Sequence, residues 1–516
     1  MTQHHRTTRL YDPEPQRAEL MATARRVASP AMLPGVAVGS IAGIVGAAFI
    51  AILAVRSTST AIHVGAPALL GAVAVWMFFS ERYERTLAVL ALYLGLLDGF
   101  LKLKTGSSLA TLGRDVLMYS IAAGALVRLA LRGEPIHIPK LSVPILVWVV
   151  ICVAEIFNPV VPSLTHAAAG VRQHIEFVPL FFLGYAVMRS ERRLMGLCIL
   201  LVVAAAANGV VALIQSGLSL NALAAWGPGY AKLVYGATTV TARTFFDASG
   251  VEHVRPPGLG SDFGFGGTLG ILAAPAVLAL GATWGRSRRA FAVAAVGAPF
   301  VVMAVITSQS RTAVVGAVVA AVVYLFLTAT SKKGAQTIAV AAVIGAVAYV
   351  ALPLAFPAAT HESNRYASIA PSKVISTAIS YRSGTLALIP GYIAHYPLGD
   401  GIGENGPAAG AAIGGPQFGT NSAESEFNFL VLEVGVPGLL LLTALTATVI
   451  WRGARLRRIA DTNRQRLLIA LVAANVGIGA TWFAGIATAS SPTSPFFWFT
   501  AGTIVYWTER YVRQGI

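Results

Sequence analysis

Four arginines in this chain stand in glycine-, serine- or proline-containing stretches at the borders of apolar blocks. Arg172 lies in GVRQHIEF, Arg255 in VRPPGLGSDFGFGG, Arg311 in SQSRTAVVG, and Arg382 in SYRSGTLALIPGYIAHYPLGDGIGENG. A guanidinium is planar, always charged, and offers a fork of donors that matches two phosphate oxygens at once, so convergent arginines suit a diphosphate. The prolines and glycines after Arg255 predict a tightly turning backbone whose N–H groups can help hold an anion. Arg311 opens an apolar block, where the unpaired N–H groups of a helix start add positive potential. Taken singly, each arginine also has a plainer role, snorkelling at a membrane boundary or pairing with a carboxylate. Arg172 and Glu176 are spaced i, i+4, which places them across one helical turn.

Carboxylates suited to proton transfer gather in SAESEFNFLVLEVGVPGLLLL, as Glu424, Glu426 and Glu433. A carboxylate beside apolar surface is harder to ionise, which suits a general base. Glu424 is the preferred candidate, and His395, in AHYPLGDG with Asp400, is the second. Glu424 and Glu426 equally fit a polar helix start, and a loop histidine such as His395 equally fits a structural role. Glu433 reads as structural, because Gly435 and Pro437 predict a kink that lets it reach a polar partner. Gly401-Ile-Gly403-Glu-Asn-Gly406 matches GxGxxG literally. That fingerprint marks a dinucleotide site only between the strand and helix of a βαβ unit, so here it predicts a tight turn. With no HExxH, CxxC or DxD spacing, no metal site and no cofactor are expected.

The elements that must position these residues are membrane helices. The chain has 516 residues, 56% hydrophobic and 12% charged, against about a quarter charged in soluble domains. Apolar blocks of about 17–25 residues match a hydrocarbon core of roughly 30 Å. They predict an all-α polytopic membrane protein with about fourteen transmembrane helices. The spans fall at 31–54, 62–80, 86–101, 108–128, 141–157, 174–188, 194–217, 263–284, 290–307, 312–330, 336–356, 427–450, 466–487 and 494–508. The formal net charge of +16 concentrates in alternate connections, where the positive-inside rule needs it, and Arg452, Arg455, Arg457 and Arg458 form the densest group. Charge therefore sets topology, N-in/C-in, and no nucleic-acid partner is required. Residues 1–30 read as a basic cytoplasmic tail without a cleavable-signal pattern. Cys152 and Cys198 fall inside apolar blocks, where they act as small buried hydrophobes.

The chain thus divides into the tail, helices over 31–217, an external loop 218–262, helices over 263–356, a second external loop 357–425, and helices with a cytoplasmic end over 426–516. Long loops in a compact bundle are usually functional or disordered. Both are mixed in composition, which predicts folded caps. All four arginines fall on the predicted extracytoplasmic face.

At these residues the sequence resembles the O-antigen ligase/polysaccharide polymerase family of bacterial membrane glycosyltransferases. Arg255 with its glycine-rich stretch is similar to the family's first arginine motif, and Ser310-Arg311-Thr312 to its Ser-Arg-Gly/Thr motif. The run from Arg382 to His395-Tyr-Pro-Leu-Gly-Asp-Gly-Ile-Gly resembles the family's arginine followed by a Pro-Leu-Gly turn. Glu433-Val-Gly-Val-Pro-Gly438 resembles its E.G.pG pattern. Counting back nine residues puts Glu424-Ser425 where family members carry Asp-Asn or His-Asn, a departure that leans towards a polymerase. The resemblance covers about 170–450. It implies a bacterial plasma membrane enzyme of polysaccharide biosynthesis in the cell envelope, with no metal or nucleotide. Its donor would be a glycan on undecaprenyl diphosphate, and its acceptor a sugar hydroxyl on a second lipid-linked molecule. Arg172, Arg255, Arg311 and Arg382 would meet the diphosphate. The alternative is a multi-span transporter or flippase, for which Asp98 and Glu155 are the intramembrane charges. A scaffold for envelope-assembly proteins is a third reading.

Overall fold

The computed structural model describes residues 60–106, 109–132, 138–235, 244–246, 252–283, 285–329, 384, 386–406, 425–459 and 461–513. The predicted tail, the predicted spans 31–54 and 336–356, Arg382 and Glu424 lie outside them. The described chain is almost entirely helical. It begins with α1 (Thr60–Phe79), α2 (Tyr83–Thr105), α3 (Leu109–Arg132), α4 (Ser142–Ala154), α5 (Leu164–Ile175), α6 (Val178–Val187) and α7 (Glu191–Ser216). Two short helices, α8 (Leu220–Ala224) and α9 (Pro228–Tyr235), lead to an antiparallel strand pair, β1 (Thr244–Phe246) and β2 (Glu252–Val254). Then come α10 (Phe265–Gly281), α11 (Arg288–Thr307), α12 (Arg311–Thr328), α13 (Ile389–His395), α14 (Glu426–Ala454), α15 (Thr462–Thr481) and α16 (Thr493–Arg513).

Five of these, α2, α7, α11, α12 and α14, are long and apolar enough to cross a membrane, and α4, α10 and part of α1 are apolar but shorter. Twelve of the fourteen predicted spans fall largely on described residues and five of them meet that standard; two of the others fall short for local reasons. The block 108–128 carries Arg114, Asp115 and Arg128. The block 174–188 is divided between α5 and α6. The chain turns at Glu176–Phe177, and Pro179 occupies the first turn of α6, where its missing N–H is tolerated.

The surface of the bundle is apolar and its interior partly polar. On α4 and the 3₁₀ turn that follows it, Val143, Leu146, Val150 and Phe157 form an exposed stripe, and Val315, Val318, Val322 and Phe326 form another on α12. Asn208, Gln215 and Asn475 are buried, and the Asn475 amide donates to Leu471 O and to Thr500 Oγ1 at 2.8 and 2.9 Å. Hydrocarbon solvent selects this arrangement, in which polar side chains find partners inside and apolar ones face out. Helices also approach closely through small residues. A Cβ on Gly209 of α7 would overlap the Phe300 carbonyl of α11, and Gly316 of α12 meets Gly477 of α15 in the same way.

The first predicted external loop is folded over its described residues. Leu223, Tyr230, Leu233 and Val254 pack on Leu103 at the end of α2, and Lys104 Nζ donates to the Trp226 carbonyl. This packing sets the direction from which the chain enters the segment containing Arg255.

Candidate functional site

Arg255 follows β2 in a segment whose backbone is held from two sides. On α7, Asn208 Oδ1 accepts from Leu259 N at 2.9 Å. About two turns further along, Gln215 accepts from Gly258 N at 2.7 Å and donates back to Gly258 O at 2.9 Å. Gly258 has φ +64°, a left-handed conformation that favours glycine. On α2, Gly99 lies so close to Gly260 and Ser261 that a Cβ would overlap their backbone.

So fixed, the Arg255 side chain is only 6% exposed. Its guanidinium covers the Phe263 ring at 3.8 Å, and Nη2 donates to the carbonyls of Ser308 and Gln309 at 3.2 and 3.0 Å. Those carbonyls belong to the turn between α11 and α12. Gln309 there has φ +51°, a sparsely populated conformation for a residue with a side chain, which the surrounding contacts enforce. Ser310 caps α12, its Oγ accepting from Ala313 N at 3.3 Å, and Arg311 is the first helical residue. Arg311 is partly exposed, and its Nε is buried with no hydrogen-bond partner among the described residues. Two of the four predicted arginines thus share one turn, which Arg255 supports and from which Arg311 projects.

Next to Gly99 stands Asp98, the first member of a buried ionic belt. It follows a π-helical turn, Tyr93–Leu97, a widening of the helix often found at functional positions. Arg114 of α3 reaches Asp98 at 3.2 Å through Nη1, Asp115 at 3.4 Å through Nε, and Glu176 through Nη2. Arg172 of α5 completes the belt, with Nη2 2.7 Å from Asp115 and Nε 3.4 Å from Glu176. The pairing of Arg172 with Glu176 predicted from their spacing is present, and Asp115 is added to it. To bind a diphosphate, Arg172 would exchange carboxylate oxygens for phosphate oxygens.

The residues after Arg172 on α5 turn to a second buried carboxylate. Glu433 is fully buried and accepts from Gln173 Nε2 at 2.9 Å, Gly403 N at 2.8 Å and Asn405 N at 2.5 Å. His174 Nε2 lies 3.3 Å away, its ring stacked on Phe429. Glu433 is therefore the structural anchor of the GIGENG turn, which contains no strand and packs against α5 and α14. The predicted kink is also present. Gly435 has φ +66°, and a Cβ there would overlap Leu398. The interrupted helix takes the preceding turn into its backbone, with Asp400 N donating to Leu432 O at 2.6 Å and Val436 N to Pro397 O at 2.9 Å.

Among the other predicted residues, His395 ends α13, is exposed, and donates from Nδ1 to Gly391 O at 2.8 Å. Glu426 is fully buried at the start of α14. Its carboxylate accepts from Ala487 N at 2.5 Å, Thr488 N at 3.1 Å and the Thr488 hydroxyl. A chain of contacts joins the motifs. It runs from Arg311 through Arg255 and the glycine-rich segment to α2, along the belt to Arg172, then through Gln173 and His174 to Glu433 and the turn beyond His395. Sequence reading passed over Arg114 and Asp115, although an Arg-Asp pair inside an apolar block was the signal that would have found them. Compared with known proteins, the chain matches no family model, no curated protein and no solved structure.

Proposed function

We propose that the chain transfers a glycan from a prenyl diphosphate carrier to a sugar hydroxyl, at the outer boundary of a bacterial plasma membrane. The observation that carries this reading is the α11–α12 turn. Arg255 is buried and bonded to that turn, which presents Arg311 at a helix start. A positive group held at a positive helix end suits the charge that develops on a diphosphate leaving group. Arg382 adds a third guanidinium from the second long loop in this reading, and Arg172 a fourth if it exchanges partners. The fourteen-span, N-in/C-in topology belongs to the same proposal, because it places all four arginines on the outer face. The anomeric carbon already bears its leaving group, so binding and proton transfer suffice. The lipid-linked substrate is amphipathic, which calls for a site at the membrane boundary.

Arg311→Ala and Arg382→Ala are expected to abolish growth of long glycan chains in cells while protein levels stay normal. Normal chain length in both variants overturns the reading.

One observation favours transport as the second reading. Asp98, Arg114 and Glu176 form a buried charge cluster packed between helices, as proton- or ion-coupled carriers require. Uptake of a lipid-linked or small polar substrate into proteoliposomes, lost in Asp98→Asn without any change in glycan linkage, would support it.

A further inference from the structure

The turn that Glu433 anchors presents one carboxylate of its own. Gly403 N and Asn405 N both bond to Glu433, so the backbone is pinned on each side of Glu404. Of residues 401–406, Glu404 alone is not buried. The turn also fits tightly on α5. A Cβ on Gly403 would overlap the His166 carbonyl, and one on Gly170 would overlap Gly403. A rigid backbone therefore holds Glu404 beside the start of α5, where His166 stands.

His166 is itself fixed. Ser163 Oγ caps α5 by accepting from His166 N at 3.3 Å, and the same oxygen lies 2.7 Å from His166 Nδ1. A protonated ring donates from Nδ1 to that oxygen and keeps a second N–H on Nε2. His166 Nε2 and Glu404 Oε1 are both buried atoms with no hydrogen-bond partner among the described residues. The imidazole is near enough to act on the Glu404 charge, yet the two form no ion pair. A carboxylate and an imidazole held close but unbonded leave both free to meet a third polar group, such as a hydroxyl.

We propose that Glu404 is the general base of the transfer, with His166 as the residue that tunes it. The proposal rests on the glycosyl-transfer reading and gives Glu404 the role for which the sequence alone favours Glu424. The acceptor O–H bond breaks, its proton passing to Glu404, as the oxygen bonds to the anomeric carbon. The bond from that carbon to the diphosphate oxygen breaks, and its electron pair leaves on the diphosphate, which Arg311 meets. Glu404 then returns the proton to water. Burial raises the Glu404 carboxyl above the usual carboxylate range, His166 pulls it back, and Glu433 and Asp400 push it up. The net direction brings a base nearer to working pH.

The test supplies membranes containing the full chain with the prenyl-diphosphate-linked glycan extracted from cells that lack the protein. Release of prenyl diphosphate and chain growth are measured against pH. Glu404→Gln is expected to lower turnover by about 10²–10⁴-fold, the usual contribution of a general base. The variant should elute as folded protein, while Glu404→Asp keeps part of the activity and Glu424→Gln stays near wild type. His166→Gln is expected to move the rising limb of the pH profile upward, because the opposing cation is gone. Activity near wild type in Glu404→Gln, with Arg311→Ala inactive, overturns the proposal and leaves the transfer reading standing. Full activity in both overturns the proposal and the role given to Arg311, and no release by folded wild type overturns the transfer reading and the proposal with it. If Glu404→Gln does not fold, the His166→Gln profile decides, and an unmoved limb overturns the assignment.

Discussion

Two clusters of arginines and carboxylates sit at opposite ends of α7, and burial is what separates them. At the start of the helix, Glu191 meets Arg286 and Arg464, which also pair with Asp461, and these side chains are 26–61% exposed. At the other end, Gln215 holds Gly258 in the segment that packs against α2 beside Asp98. The 24-residue rise from Glu191 to Gln215 is about 36 Å, a membrane's thickness apart. In the belt there, Asp98, Arg114, Asp115 and Glu176 are only 5–14% exposed. Identical chemistry has different consequences in the two places. A solvated pair gains little and tolerates loss of a partner, whereas a buried charge requires its partner. The buried cluster fixes the positions of α2, α3 and α5 next to the proposed site. The exposed one, two arginines against two carboxylates, stays solvated.

The sharpest break of this contrast is Arg114→Ala. It leaves Asp98 and Glu176 buried without their shared cation, and a loss of about 3–5 kcal/mol is expected, read as thermal unfolding in detergent. Second comes Glu433→Gln, which weakens bonds to a charged acceptor by about 1.5–3 kcal/mol. Limited proteolysis should then cut within 397–406 while α7 stays protected. Ser310→Ala removes one helix cap and should cost about 1 kcal/mol by the same unfolding measurement. The smallest effect belongs to Arg286→Ala at the exposed end, below about 1 kcal/mol and smaller still in high salt. An Arg286→Ala loss equal to that of Arg114→Ala would erase the distinction.

How much of this was legible in the sequence varies with the range of the interaction. Helix positions followed from apolar block length, and the kink at Gly435 followed from a glycine and a proline two residues apart. The Arg172–Glu176 pair was legible because it is local, one turn apart on the chain. Its second partner, Asp115, is 57 positions away and left no spacing signal. Glu433 was read as structural, but its partners at Gln173 and Gly403 come from separate elements that only folding unites. Arg255 and Arg311 each stood out as arginines at helix borders. That the first holds the turn carrying the second depends on carbonyl directions at Ser308 and Gln309, which composition does not encode. Glu404 has no spacing signal of its own, since a GxGxxG run marks its glycines and not the residue that they present.

The central claim is that the α11–α12 turn serves glycan transfer from a prenyl diphosphate. The most direct measurement is prenyl diphosphate release by membranes carrying wild type or Arg311→Ala, given the accumulated lipid-linked glycan. The account predicts release by wild type and none by the variant, with both proteins folded. Equal release by the two, or no release by folded wild type, would contradict it.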